Sequence, residues 1–238
     1  MASSPHRRVA ITSDQSLVAE AVGAALTSRG FDVLMVRWPA TPLRDEHVAA
    51  APTPPTSSPP DVALLLSDLD HPARVAAAVQ LMLRLPVPWV VLSGAPRGPV
   101  WGELLEVGAA VVAPSSTTLE EVAPTLLAVA EGREAMGPGE REELTAAWRT
   151  LKSEQDDLAA RVASMTPRET EVLRLLYAGT PVAMIALQLR VSEATVRSQV
   201  KRVLRKLDVR SQLAAVAAFE GVQHSASSIR SARPAPRH

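Results

Sequence analysis

Residues 192–207, SEATVRSQVKRVLRKL, carry five basic side chains and, after Glu193, no acid until Asp208. At about 100° per residue, Val196, Val200, Val203 and Leu207 fall in one narrow stripe, with Leu204 on its margin. Ala194, Arg197, Lys201 and Arg205 line up on the other side, flanked by Ser198 and Arg202. The apolar stripe is a core face. A solvated face mixes charge signs, whereas like charges four residues apart cost an isolated helix roughly a few tenths of a kcal/mol per pair. The chemistry that compensates such a face is phosphate neutralisation, with the same side chains able to donate hydrogen bonds to base edges.

The flanking residues show how such a helix would be held. Ser192 stands where an N-cap is expected. Before it, Val182, Ile185, Ala186 and Leu189 at i, i+3, i+4 and i+7 predict a short helix with one apolar face, joined to Ser192 by a brief turn. Further upstream, Thr166-Pro167-Arg168-Glu169 fits a capping box with proline at the first helical position. The helix it opens runs to Tyr177 and is ended by Gly179. A short helix, a tight turn and a second helix with a basic outer face form a helix-turn-helix, whose second helix enters the major groove.

At this point the sequence resembles a known family. Residues 165–219 are similar to the LuxR-type DNA-binding domain of NarL/FixJ response regulators: TPRExEVL at 166–173, Gly179 ten residues after Glu169, Ile185-Ala186, VSEATVRSQV at 191–200 and LRKLDVRSQLAAV at 204–216 occur in order. The resemblance implies that Arg197, Ser198 and Lys201 face bases, and that Thr195, Arg202 and Lys206 meet or approach phosphates; Arg205 shares the basic face. It also implies dimerisation through the helix 211–220, with Leu213, Val216 and Ala217 as contacts. Two departures stand out. Val182-Ala183-Met184 replaces the family's polar opening of the first helix of the pair, and Gln199 replaces its common histidine.

The front of the chain alternates strands and helices. RVAITS, FDVLMVRW, DVALLLSD, PWVVLS and AAVVAP read as five strands, nearly continuous in Val, Leu and Ile, as in a parallel sheet covered on both faces. Four helical stretches lie after the first, third, fourth and fifth of them. Between the second and third strands, residues 39–60 hold seven prolines in 22, which forbids a continuous helix or central strand. The expected fold is therefore α/β plus all-α: a doubly wound five-stranded domain followed by a four-helix helix-turn-helix domain.

The family resemblance makes that front domain a phosphoacceptor receiver. Receivers use carboxylates after the first strand, an acceptor Asp after the third, a hydroxyl after the fourth and Lys after the fifth, to hold a divalent cation and neutralise a phosphoryl group. Here the acidic pair is Ser13-Asp14, Asp68 stands as acceptor four residues before Pro72, and Ser93 supplies the hydroxyl. The Lys is absent: Ala113-Pro114 occupies its place, and the three lysines of the chain are Lys152, Lys201 and Lys206. The expectation is a degenerate receiver controlled without phosphorylation, through dimerisation, a partner or a ligand. The alternative is a phosphoacceptor at Asp68, and Mg²⁺ enters only in that case. Asp14, Asp68 and Ser93 can also be read simply as polar residues capping strand ends.

Between the two domains, positions 144, 148, 151, 155, 158, 162 and 165 form a 4-3-4-3-4-3 seam, with Gln155 its one polar member. It reads equally as a connecting helix packed on its own chain or as a dimeric coiled coil using Leu144, Trp148, Leu151 and Leu158. The division expected is a disordered start at 1–8, a receiver-like domain at 9–131 with the Pro-rich insert 39–60, a linker at 132–164, the DNA-binding domain at 165–221 and a flexible tail at 222–238.

Charge is segregated although 25 basic and 25 acidic residues cancel. By count along the sequence, residues 1–130 hold 8 basic and 12 acidic side chains, and residues 165–221 hold 9 and 5. Only the C-terminal end is built to meet a polyanion. With no cysteine and five scattered histidines, neither a metal centre nor a thiol nucleophile is expected. GxxxxGK, GxSxG and GxGxxG do not occur, which argues against a doubly wound enzyme and gives no catalytic residues. A sigma-factor fragment would have an all-helical partner domain. A scaffold without DNA binding would be indifferent to loss of Arg197 or Lys201. The partners expected are double-stranded DNA and a second copy of the chain, with RNA polymerase a further candidate. No membrane span or signal core is read, so the expected location is the cytoplasm.

Overall fold

The computed structural model describes residues 7–39 and 59–232, with side chains as far as Val222. The chain forms two compact units, Met1–Arg149 and Thr150–His238.

The first unit is built on strands β1 (Arg8–Ser13), β2 (Asp32–Met35), β3 (Val62–Ser67), β4 (Trp89–Ser93) and β5 (Ala109–Pro114). All pair in parallel, in the order β2-β1-β3-β4-β5. Helices α1 (Ser16–Thr27), α2 (Pro72–Arg84), α3 (Pro99–Val107) and α4 (Leu119–Ala130) lie on the two faces. The period of two along each strand divides the core. Ala10, Ala63, Leu65 and Val91 pack with α2 and α3, whereas Val9, Ile11, Leu64 and Val90 pack with α1 and α4. Because both faces are covered, the strands read as unbroken apolar runs, and this is why they were legible as parallel. The strand order reverses between β1 and β3, so their C-terminal ends open a crevice at the place where doubly wound sheets take ligands.

Helix α5 (Pro138–Ala163) crosses from the first unit into the second. Its start is tied to the first unit: Arg141 donates to the carbonyls of Ala109 and Ala110 at 3.0 and 2.6 Å, and Leu144 is buried in the core. The second unit contains its end together with α6 (Pro167–Tyr177), α7 (Val182–Leu189), α8 (Glu193–Leu207) and α9 (Gln212–Ala232). Val172, Ile185, Ala186, Val196 and Val200 form one small core. Met165, Leu173, Val203, Leu207, Ala215 and Phe219 form the other, with Leu158 and Val162 of α5 against it.

Several expectations change. The first strand begins at Arg8, whose backbone N–H donates to Asp61 at 2.9 Å, so the ordered chain reaches into the stretch 1–8; residues 1–6 lie outside the described residues. Of the Pro-rich insert, 40–58 lie outside them too. The last helix does not stop at Glu220 but runs to Ala232, into the stretch 222–238 expected as a flexible tail, since no proline interrupts it before Pro234. Residues 233–238 are outside the described part. The heptad seam is spent inside the chain: Leu144 belongs to the receiver core, Trp148 lies against Gly102 of α3, and Leu158 packs on the C-terminal core. Leu144 is thus buried within its own chain, while Trp148, Leu151 and Leu158 are half-buried.

Candidate nucleic-acid interface and receiver pocket

Helix α8 begins where expected. Ser192 caps it, its Oγ accepting from the Thr195 N–H at 3.1 Å. It ends at Asp208, held in the left-handed region at φ 57°. Arg161 of α5 donates to the Leu207 carbonyl at 3.3 Å and stands 3.6 Å from the Asp208 carboxylate, placing a cation at the negative end of the helix. Val196, Val200, Val203 and Leu207 are buried. Arg197, Ser198, Lys201, Arg202 and Arg205 are exposed, as is Thr195 at the start of the helix. The stripe and the basic face are thus separated as the periodicity requires. Arg197 forms an i, i+4 pair with Glu193 at 2.9 Å, but its side chain is 69% exposed. Such a surface pair is worth roughly 1 kcal/mol or less and yields readily to phosphate or a base edge.

Lys206 is placed differently from the expectation. Its Nζ donates to Glu169 Oε2 at 2.7 Å and to the Ser164 carbonyl at 3.1 Å. In the chain without DNA it serves as the partner that Glu169, being buried, needs. The same Glu169 oxygen accepts from the Thr166 N–H at 2.9 Å, completing the capping box read from the sequence. Lys206 first, and the Thr166 N–H second, hold the Glu169 carboxyl below its ordinary range. On α9, Ala215 and Phe219 point into the core. Leu213 is 79% exposed, Ala217 is exposed and Val216 is half-buried, so an apolar face remains outward.

In the first unit, β1, β3 and β4 bring Asp14, Asp68 and Ser93 to the same edge of the sheet. Asp68 follows β3 directly and is half exposed. A side chain at Gly94 would meet the Asp68 carboxylate, so glycine makes the room for it. Leu69, next in the chain, is buried with φ 51°, a left-handed backbone at a bulky residue and a mark of strain at this loop. The hydroxyls of Ser13, Ser67 and Ser93 all accept from N–H groups two residues on: Gln15, Leu69 and Ala95. Beside Ser93, a cavity of about 650 Å³ opens among Arg97, Trp101, Ser115, Met136 and Glu140.

The residue that sequence reasoning missed is Arg74, in the first turn of α2. Its Nε lies 3.0 Å from Asp14 Oδ2, and its Nη1 lies 2.8 Å from Asp70 and 3.9 Å from Asp68. A divalent cation of the kind receivers bind would sit among these same carboxylates. The residues present do not fit one, because the Arg74 guanidinium already lies 3.0 Å from Asp14 and 3.9 Å from Asp68, on the ground such a cation would occupy. Among the described residues, no cluster of three or more metal-ligating side chains occurs, and no helix is long and apolar enough to cross a membrane.

Comparison with known proteins bears on both units. The model of bacterial regulatory proteins of the luxR family matches residues 163–219. Alignment with RcsB from Salmonella enterica serovar Typhimurium, solved bound to a promoter, covers 91% of this chain and 99% of that one at 20% identity, with a TM-score of 0.43. The nitrate/nitrite response regulator protein NarL of Escherichia coli strain K12 is 35% identical over 66 residues, 28% of this chain and 31% of that protein. The probable transcriptional regulatory protein NarL of Mycobacterium tuberculosis strain H37Rv is 34% identical over 162 residues, 66% of this chain and 71% of the relative. That last match is too long for the helix-turn-helix to account for it alone, and the chain belongs to the NarL/FixJ family of response regulators, transcription regulators with a receiver and a LuxR-type helix-turn-helix.

Proposed function

We propose that this protein binds double-stranded DNA sequence-specifically as a homodimer, α8 lying in the major groove, and that it is controlled without phosphorylation. Arg197, Ser198 and Lys201 read base edges in this arrangement, and Thr195, Arg202 and Arg205 meet phosphates. The observation that carries the reading is the outer face of α8, exposed and basic from Arg197 to Arg205 with no acid along it. The outward Leu213 and Ala217 on α9 support pairing with a second copy, which doubles the contacted half-sites. The reading makes the chain a regulator rather than an enzyme, acting in the cytoplasm, with residues 9–131 as receiver, 132–164 as linker and 165–221 as DNA-binding domain. RNA polymerase is the partner a promoter-bound regulator would meet.

Selection of bound sequences from a random duplex pool, followed by titration of wild type, Arg197→Ala and Lys201→Ala on the selected site, tests DNA binding. The variants are expected to lose about 1–3 kcal/mol of discrimination each; unchanged binding would favour an interaction scaffold. The half-exposed Asp68 favours a second reading, a phosphoacceptor. Intact mass of wild type and Asp68→Asn after incubation with a small phosphodonor and Mg²⁺ decides it. Phosphate on wild type alone, with tighter DNA binding, would restore conventional two-component control.

A further inference from the structure

We infer that the Arg74 guanidinium is a built-in cation that takes the place of a divalent metal in the receiver pocket and keeps that pocket closed to metal ions. The inference deepens the reading of phosphorylation-independent control and rests on it. Three observations converge. The Asp14 side chain is only 9% exposed, and neither of its oxygens has a hydrogen-bond partner. A buried carboxylate in that state requires a nearby positive charge, and Arg74 Nε at 3.0 Å provides it.

Secondly, Arg74 sits two residues into α2, at the positive end of the helix dipole, where a cation is disfavoured. Its place is explained by the acids it faces: Asp14, Asp68 and Asp70, from the loops after β1 and β3. Thirdly, the guanidinium lies 3.0 Å from Asp14 and 3.9 Å from Asp68 while its Nη1 donates to Asp70, so it stands on the ground that a cation shared by Asp14 and Asp68 would need, and the two compete for it. A fixed internal charge cannot be withdrawn by chelation or varied with metal supply. The pocket carries this compensating charge whenever the chain is folded, and Arg74 is a positioning residue for Asp14 and Asp68.

The test is Mn²⁺ binding to the full-length protein, followed by the loss of the free-ion electron paramagnetic resonance signal. Wild type is expected to bind no Mn²⁺ at this pocket at millimolar metal. Arg74→Met, which keeps the apolar stem and removes the charge, is expected to gain one Mn²⁺ per chain, and Arg74→Met with Asp14→Asn to lose it again. Wild-type binding abolished by Asp14→Asn would overturn the assignment, as would failure of folded Arg74→Met to bind. Where Arg74→Met folds poorly, thermal unfolding decides: an upward shift with Mn²⁺, or rescue by Asp14→Asn, supports an uncompensated Asp14, and neither would sink it. A wild type that takes phosphate yet excludes Mn²⁺ would refute phosphorylation-independent control while leaving the Arg74 assignment standing.

Discussion

Glu169 joins two helices through one oxygen, accepting from the Thr166 N–H at the start of α6 and from Lys206 near the end of α8. Charge-assisted bonds to a buried carboxylate are stronger than neutral ones. Lys206 is a third exposed, so screening keeps the net worth toward the low end of its range. Glu169→Gln is expected to destabilise the second unit by roughly 1–2 kcal/mol at neutral pH, read as faster hydrogen exchange in α6 and α8. Because the folded carboxyl titrates below its ordinary value of 4.5, the stabilisation is complete above that value. It is lost as the pH falls from there through the folded-state value. Wild type should therefore lose protection in that acidic window, and Glu169→Gln should lose less. Gln199 offers the opposite case: its Oε1 is buried without a partner on the half-buried side of α8. Gln199→Met keeps the shape and removes the orphaned acceptor, so the unit should gain about 1 kcal/mol in denaturant unfolding.

Elements were legible in the sequence wherever a local pattern decides them. β1 and β5 fall at the residues expected, α7 spans Val182–Leu189, and the Thr166 box and Ser192 cap open their helices. What escaped is set by contacts between distant residues. Arg74 is an unremarkable surface residue until the fold brings it to Asp14, and Lys206 lies on the margin of the basic face until Glu169 draws it in. Gly102 is the same kind of case, a helix-interior glycine with a normal backbone whose reason appears only when α5 docks. A Cβ there would strike the Leu144 carbonyl oxygen and the Trp148 Cβ. Backbone cannot yield as a flexible side chain would, so Gly102→Ala must push the first half of α5 off α3. The expected cost is about 1–3 kcal/mol, with increased hydrogen exchange across 138–149 and a changed fluorescence of Trp101 and Trp148.

At the scale of the whole chain, the zero net charge conceals an arrangement with consequences for binding. The receiver stretch 1–130 counts 8 basic against 12 acidic residues and the helix-turn-helix stretch 165–221 counts 9 against 5, so on the proposed reading attraction to DNA is expected from the second stretch, with the first opposing it. For a dimer neutralising roughly 6–10 phosphates, the logarithm of affinity should fall steeply and linearly with the logarithm of salt. Basic residues that look alike in sequence should then separate into three behaviours. Arg202→Ala, at an exposed flank of α8, should weaken binding to every sequence alike and reduce the salt slope by about 1. Arg197→Ala should relax the preference for the selected site. Lys206→Met should leave the slope per folded dimer unchanged while lowering stability, because its ammonium is committed to Glu169. Fluorescence anisotropy of labelled duplex across a salt series, on protein whose folding is checked at each point, measures all three. A Lys206→Met slope reduced as much as that of Arg202→Ala would mean that the lysine leaves Glu169 for phosphate when DNA arrives.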